Sequence, residues 1–103
     1  MKIIKCLSKY IDEELCDAKK YVEKAIKIKH EYPEVADTFI KLSTEELKHM
    51  STLHTEIVRL IEIYRKLKGD PPEDMMAIYE YLHEEAINKE KEVRILHEIY
   101  NIE

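Results

Sequence analysis

The 103-residue sequence is poor in the residues that build turns and sheets. It contains one glycine, three prolines and no tryptophan, whereas 38% of its residues are charged. A sheet protein needs many turn residues between its strands, so this composition favours a few long amphipathic helices. A chain of this length can build one modest core, and we predict a single helical domain over residues 1–103.

Other absences exclude whole classes of protein. There is no run of basic residues and the formal net charge is −5, which argues against a nucleic-acid partner. No apolar stretch is long enough for a membrane span or the core of a signal peptide. We also find no glycine-rich phosphate loop and no nucleophile elbow, so nucleotide and conventional hydrolase chemistry are not expected. These absences predict a cytoplasmic protein with no membrane partner.

The two cysteines predict free thiols. Cys6 and Cys16 are ten positions apart on one predicted helix, about 15 Å along its axis. That separation is too long for a disulfide, and neither cysteine has a ligand-spaced partner of the kind found in zinc fingers. Free thiols fit a reducing compartment.

Apolar residues recur at helical spacing in three segments, which predicts helices over about residues 3–30, 33–68 and 72–100. Pro33 ends the first segment because the residue before a proline is extended and a proline suits the first turn of a helix. Gly69, as a left-handed cap, ends the second, and Asp70 is the candidate N-cap of the third.

Both connections are short, so consecutive helices are expected to be antiparallel neighbours. The predicted fold class is therefore all-α, an antiparallel three-helix bundle.

Glu46 and His49 interrupt the apolar stripe of the second predicted helix. At about 100° per residue, Glu46 points to within roughly 40° of seven stripe residues, so its carboxylate is predicted to be buried. These seven are Phe39, Leu42, Met50, Leu53, Ile57, Leu60 and Tyr64. A buried carboxylate is costly unless it is paired, protonated or metal-bound. Ile40, Leu47 and Val58 form a second apolar edge, which predicts contact with more than one neighbour.

Polar residues interrupt the other two stripes at the same height. Glu14 does so in the first helix, and Glu90 and His97 do so in the third. Counting from the two turns places all three near the level of His49. A layer of carboxylates and imidazoles inside a bundle is ligand chemistry for iron or manganese. We therefore predict a metal site built from Glu14, Glu46, His49, Glu90 and His97.

The same residues carry a resemblance to a known family. The matching positions are Glu14, Tyr21 seven residues later, Pro33, Phe39 and the string Glu46-Leu47-Lys48-His49. Over roughly residues 7–60 the chain resembles the ferritin-like or rubrerythrin-like family of carboxylate-bridged di-iron proteins. The resemblance implies that Glu14 is a terminal ligand, that Glu46 bridges two metals and that His49 binds one. It also implies oxygen or peroxide reduction, or iron oxidation.

The chain departs from that family in two ways. The family's site uses a fourth helix with a second Glu-x-x-His string, whereas three helices are predicted here. The family also has a long crossover where this chain has a short Gly-Asp-Pro-Pro turn. A complete site then needs a second chain, or Glu90 with His97 or His83 as substitutes. We expect a homo-oligomer, a dimer or larger, associating through the broad apolar edge of the second helix.

Several alternatives stay open at this point. Ser43 and Glu46 match a capping box, which would break the second helix near Ser43. Glu14 could pair with a lysine of a neighbouring helix, and single histidines are often simply core residues. The alternative function is a non-catalytic helical assembly module without an intact metal site. The sequence does not decide whether the protein is an enzyme.

Overall fold

The computed structural model describes residues 2–103, which form three helices and no strand. These are α1 (Lys2–Ile28), α2 (Pro33–Lys68) and α3 (Glu73–Ile102). Each observed end lies within two residues of the predicted one. The all-α prediction is confirmed.

α1 packs along both α2 and α3. The contact of Ala18 with Ser43 and that of Glu14 with His49 show that α1 and α2 run antiparallel. The contacts of His97 with Ser43 and of His83 with His54 show the same for α2 and α3. The bundle measures 56 × 18 × 17 Å, so its long dimension is close to the length of α2.

The two turns are only partly as predicted. Pro33 is the first residue of α2, and Gly69 follows its last residue with a φ of 83° and a ψ of −163°. The positive φ was expected, but this ψ belongs to an extended region that only glycine adopts readily, not to a left-handed helical cap. The Asp70 prediction is wrong: Pro72 is the N-cap residue of α3, while Asp70 Oδ1 lies 3.7 Å from Arg65 Nε.

The core is built mainly between α1 and α2. α1 contributes Ile4, Ile11, Leu15, Ala18, Val22 and Ala25, and α2 contributes Ala36, Leu47, Met50, Ile57 and Ile61. From α3 only Val93 and Tyr100 are fully buried, and no residue of 73–92 is. The C-terminal half of α3 is also tied by Tyr100, whose hydroxyl donates to Asp37 Oδ1 at 2.5 Å. α3 is therefore packed firmly at one end and loosely at the other.

The buried face of α2 differs from the predicted stripe. It is centred near Ser43 and Leu47, about 60° around the helix from Glu46. Ser43 is completely buried because its hydroxyl donates to the Ala18 carbonyl oxygen at 2.7 Å, and the small Ala18 lets the two helices approach. Glu46 lies at the edge of the face, not at its centre. The central residue of this face, Ser43, is polar, so a pattern based on apolar side chains does not identify it.

Cys6 and Cys16 are exposed free thiols, as predicted. Within residues 2–103, no helix combines the length and the apolar character needed to cross a membrane.

Candidate metal centre

Glu14, Glu46 and His49 converge at the interface between α1 and α2. Each offers one ligand atom, and these three atoms lie within 4.8 Å of one another. His49 Nδ1 is 3.4 Å from Glu14 Oε2 and 3.8 Å from Glu46 Oε2. Glu46 and His49 share one side of α2 because they are three residues apart, and antiparallel packing brings Glu14 to the same height.

The two carboxylates are more buried than the imidazole. The exposed fractions of the side chains are 24% for Glu14, 18% for Glu46 and 60% for His49. The Glu14 Oε2 atom is itself buried and has no hydrogen-bond partner among residues 2–103. A buried acceptor without a partner loses its interaction with water and gains nothing in return. A hydrogen-bond donor or a cation would therefore supply the partner that Glu14 Oε2 lacks.

Two alternatives from the sequence are not found here. Among the described residues Glu14 lies within ion-pair distance of His49 and of no lysine. The capping-box interpretation of Ser43 and Glu46 is wrong, because α2 continues without a break through both positions.

His97 lies outside the cluster and binds Ser43 instead. Its Nε2 atom is 2.8 Å from Ser43 Oγ. The single hydroxyl proton of Ser43 is donated to Ala18, so His97 Nε2 must be the donor and Ser43 Oγ the acceptor. Burial lowers the pKa of His97, and the nearby Arg94 charge lowers it further. Because His97 donates to it, Ser43 is not activated as a nucleophile.

Glu90 also lies apart from the cluster. It accepts a hydrogen bond from Arg94 Nη2 at 2.7 Å on its own helix. Asp12 bonds Lys89 of α3, and Asp12 and Glu14 lie about 160° apart around α1. The side of α1 that carries Glu14 therefore faces away from α3. The structure brings together three of the five predicted ligands and leaves both α3 residues elsewhere.

His54, His83 and Tyr79 form an aromatic stack that was not predicted from the sequence. The His54 and His83 rings stack with centroids 4.8 Å apart and planes 17° apart. Tyr79 stacks on His83 at 5.6 Å and 14°. The signal was present in the sequence, since His54 continues the helical spacing of Leu47, Met50, Ile57 and Ile61.

The aromatic residues that belong to the family resemblance do meet. The Tyr21 and Phe39 rings contact each other, with centroids 6.0 Å apart. They lie seven positions from Glu14 and Glu46 respectively, so they form the next layer along the same interface.

No protein-family model matches the chain, and comparisons with curated proteins and with solved structures give no significant match. The resemblance to ferritin-like proteins therefore rests on the residues named above.

Proposed function

We propose that the protein binds iron or manganese through Glu14, Glu46 and His49. The observation that carries the proposal is the buried Glu14 Oε2 atom, which lacks a hydrogen-bond partner among residues 2–103 and lies beside a second carboxylate and an imidazole. Two carboxylates with one imidazole form a donor set suited to these metals. A bound cation would satisfy the Glu14 oxygen that the protein leaves without a partner.

The three side chains would have distinct tasks. Glu14 and Glu46 would supply negative charge, and the neutral His49 would supply a nitrogen through Nδ1, the atom that faces both carboxylates. A bound redox metal would supply the electron transfer needed for oxygen or peroxide reduction, or for iron oxidation. His49 is the most exposed of the three, so in a single chain the site is open on its side.

We further propose that a second copy of the chain completes this site. Apolar side chains surround the three ligands on the outer face of α1 and α2 and are only partly buried. On α1 they are Leu7, Tyr21 and Ile28, and on α2 they are Phe39, Leu42, Leu53, Leu60 and Tyr64. Nearby Tyr10 and Val35 are 51% and 47% exposed. This α1/α2 outer face includes five of the seven stripe residues predicted from the sequence, since Met50 and Ile57 lie in the core. A second copy placed on it would bury those five and add its own carboxylates.

Metal content tests the binding proposal. Untagged protein is purified from culture supplemented with iron and manganese, alongside Glu46→Ala/His49→Ala. The control is Glu45→Ala/His30→Ala, which removes an exposed carboxylate and an exposed imidazole outside the cluster. We expect stoichiometric iron or manganese in the wild type and the control, and none in the cluster variant. Equal metal in all three, or none in any, would leave the assembly module as the better account.

The oligomer proposal has its own test. Leu42→Lys places a charge on the α1/α2 outer face, and Ile95→Lys places the same charge on an exposed site of α3. We expect native sizing to show a dimer or a larger assembly for the wild type and Ile95→Lys, and a monomer with weakened metal binding for Leu42→Lys. A wild-type monomer that binds metal fully would contradict completion by a second copy.

A further inference from the structure

A groove of about 580 Å³ lies beneath the N-terminal half of α3, the half with no fully buried residue. α1 and α2 form its other walls, and its α3 lining extends from Tyr79 to Glu90. Glu14, Glu46 and His49 do not line it. The groove is therefore separate from the proposed metal site.

The floor of the groove is apolar. Ile11, Met50 and Ile57 reach it from the core, and Leu82 and Ala86 face them from α3. A smaller hollow of about 30 Å³ shares Lys5, Tyr79 and Leu82 with it and continues toward the α2–α3 turn. The larger volume falls in the range of small-molecule sites, which is roughly 300–1,000 Å³. The shape suits an elongated apolar body.

The rim of the groove carries two lysines without an ion-pair partner among residues 2–103. Lys5 and Lys9 line the groove, and neither has an ion-pair partner within the described part of the chain. Lys89 forms an ion pair with Asp12, and Glu90 forms one with Arg94. Glu85 is the one acidic residue of the lining without such a pair in the described part of the chain. Two ammonium groups without an ion-pair partner in residues 2–103, beside an apolar floor, complement an anionic head group.

The imidazoles of the groove do not form a second metal site. His54 and His83 stack almost parallel, 17° apart, so the ring faces meet. The lone pairs of a ring nitrogen lie in the ring plane, so face-to-face rings do not aim both nitrogens at one ion. The stack instead gives the groove a flat, weakly polar wall.

We infer that this groove binds a small amphipathic anion, with the apolar body beneath α3 and the anionic head at Lys5 and Lys9. The ligand fills space that α3 leaves open, so binding fixes the loosely packed half of this helix. The proposal is independent of the metal site and holds in metal-free protein.

The test is an NMR titration of ¹⁵N-labelled protein, kept metal-free by a chelator in the buffer. Decanoate is the probe, used below its micelle concentration. Decyltrimethylammonium has the same chain length with the opposite charge. Ala86→Trp fills the groove, and Val58→Trp places the same side chain on the exposed side of α2. Lys5→Glu/Lys9→Glu reverses the rim charge at exposed positions, so it reports on binding even if Ala86→Trp does not fold.

Decanoate is expected to shift the amide signals of residues 50–57 and 79–90 saturably in the wild type and in Val58→Trp. Binding is lost in Ala86→Trp and weakened roughly three- to tenfold in Lys5→Glu/Lys9→Glu, as expected for exposed charges. The cation binds more weakly than decanoate to the wild type. The proposal is overturned if no saturable shift occurs, if the cation binds as well as decanoate, or if charge reversal leaves decanoate affinity unchanged.

Discussion

Glu14 of α1 and His49 of α2 meet across the helix interface with Oε2 and Nδ1 3.4 Å apart, which is longer than an ordinary hydrogen bond. The two atoms are close, yet Oε2 is buried and has no hydrogen-bond partner within residues 2–103. In the metal-free protein the unpaired Glu14 oxygen lowers stability. In the metal-bound protein the same oxygen is free to bind the ion. That contrast gives predictions of opposite sign for the two states.

Glu14→Leu should raise the free energy of unfolding of the metal-free protein by about 1 kcal/mol, because it removes a buried acceptor that has no partner. In protein loaded with Mn²⁺ the sign should reverse, because the wild type gains the binding free energy of the ion and the variant does not. Urea unfolding with chelator and with Mn²⁺ measures both. Glu13→Leu, at an exposed neighbouring position, is the control and should show neither effect. A loss of stability for Glu14→Leu in chelator would mean that Glu14 has a structural partner.

Ser43→Ala should lower the free energy of unfolding by about 1–3 kcal/mol, because it leaves the Nε2 proton of His97 without its acceptor inside the bundle. The same substitution at the exposed Ser51 should change stability by less than about 0.5 kcal/mol. Denaturant titration of both variants gives the comparison. Equal effects at the two serines would show that the bond between Ser43 and His97 contributes nothing.

His54 should make stability depend on pH. Burial lowers the pKa of His54 below its usual 6.5, and the neighbouring His83 lowers it further, while Glu90 opposes the shift. As the pH falls through 6.5 the unfolded chain takes up a proton at this residue before the folded protein does. The free energy of unfolding therefore falls from pH 6.5 down to the folded-state pKa.

Imidazole proton shifts followed by NMR measure this titration directly. We expect a His54 midpoint below 6.5 and an upward shift of that midpoint in His83→Gln, which removes the second cause. His54→Gln should flatten the stability curve below pH 6.5. A His54 midpoint at or above 6.5 would contradict the stacked, partly buried arrangement.

Gly69→Ala should destabilise the protein by about 1–3 kcal/mol through backbone strain alone, because a side chain rarely adopts its φ of 83° with ψ at −163°. Apart from Gly69 and its two chain neighbours, no residue of 2–103 has an atom within 4 Å of an added Cβ, so a clash plays no part. Gly69→Asn should not rescue the loss, since asparagine favours the left-handed helical region instead. Thermal unfolding of both variants checks this, and a neutral Gly69→Ala would mean that the turn relaxes.

The helices were predictable because local signals define their ends. Pro33 and Gly69 have strong backbone preferences, and these were enough to place the limits of α2. The orientation of α2 was not predictable, because its central residue is the polar Ser43 and its acceptor, Ala18, is distant in sequence. The buried face of α2 therefore lies about 60° around the helix from Glu46, the predicted centre.

The part of the candidate site that lies on α1 and α2 was predictable from the sequence. Glu14, Glu46 and His49 depend on the register of α1 against α2, which the short first turn fixes. The positions of Glu90 and His97 depend on the side of α1 against which α3 packs. Counting residues gives the position of a side chain along the bundle axis but not its position around that axis. The contact between Asp12 and Lys89 shows which side of α1 this is, and nothing in the sequence marks those two residues as partners.

Anomalous diffraction at the iron edge, using crystals grown with Fe²⁺ under anaerobic conditions, tests the proposed metal centre most directly. We expect a peak bounded by the side chains of Glu14, Glu46 and His49, with a second chain facing it across the α1/α2 outer face. A peak at another site, or none at these three residues in crystals that contain iron, would contradict the proposed metal centre.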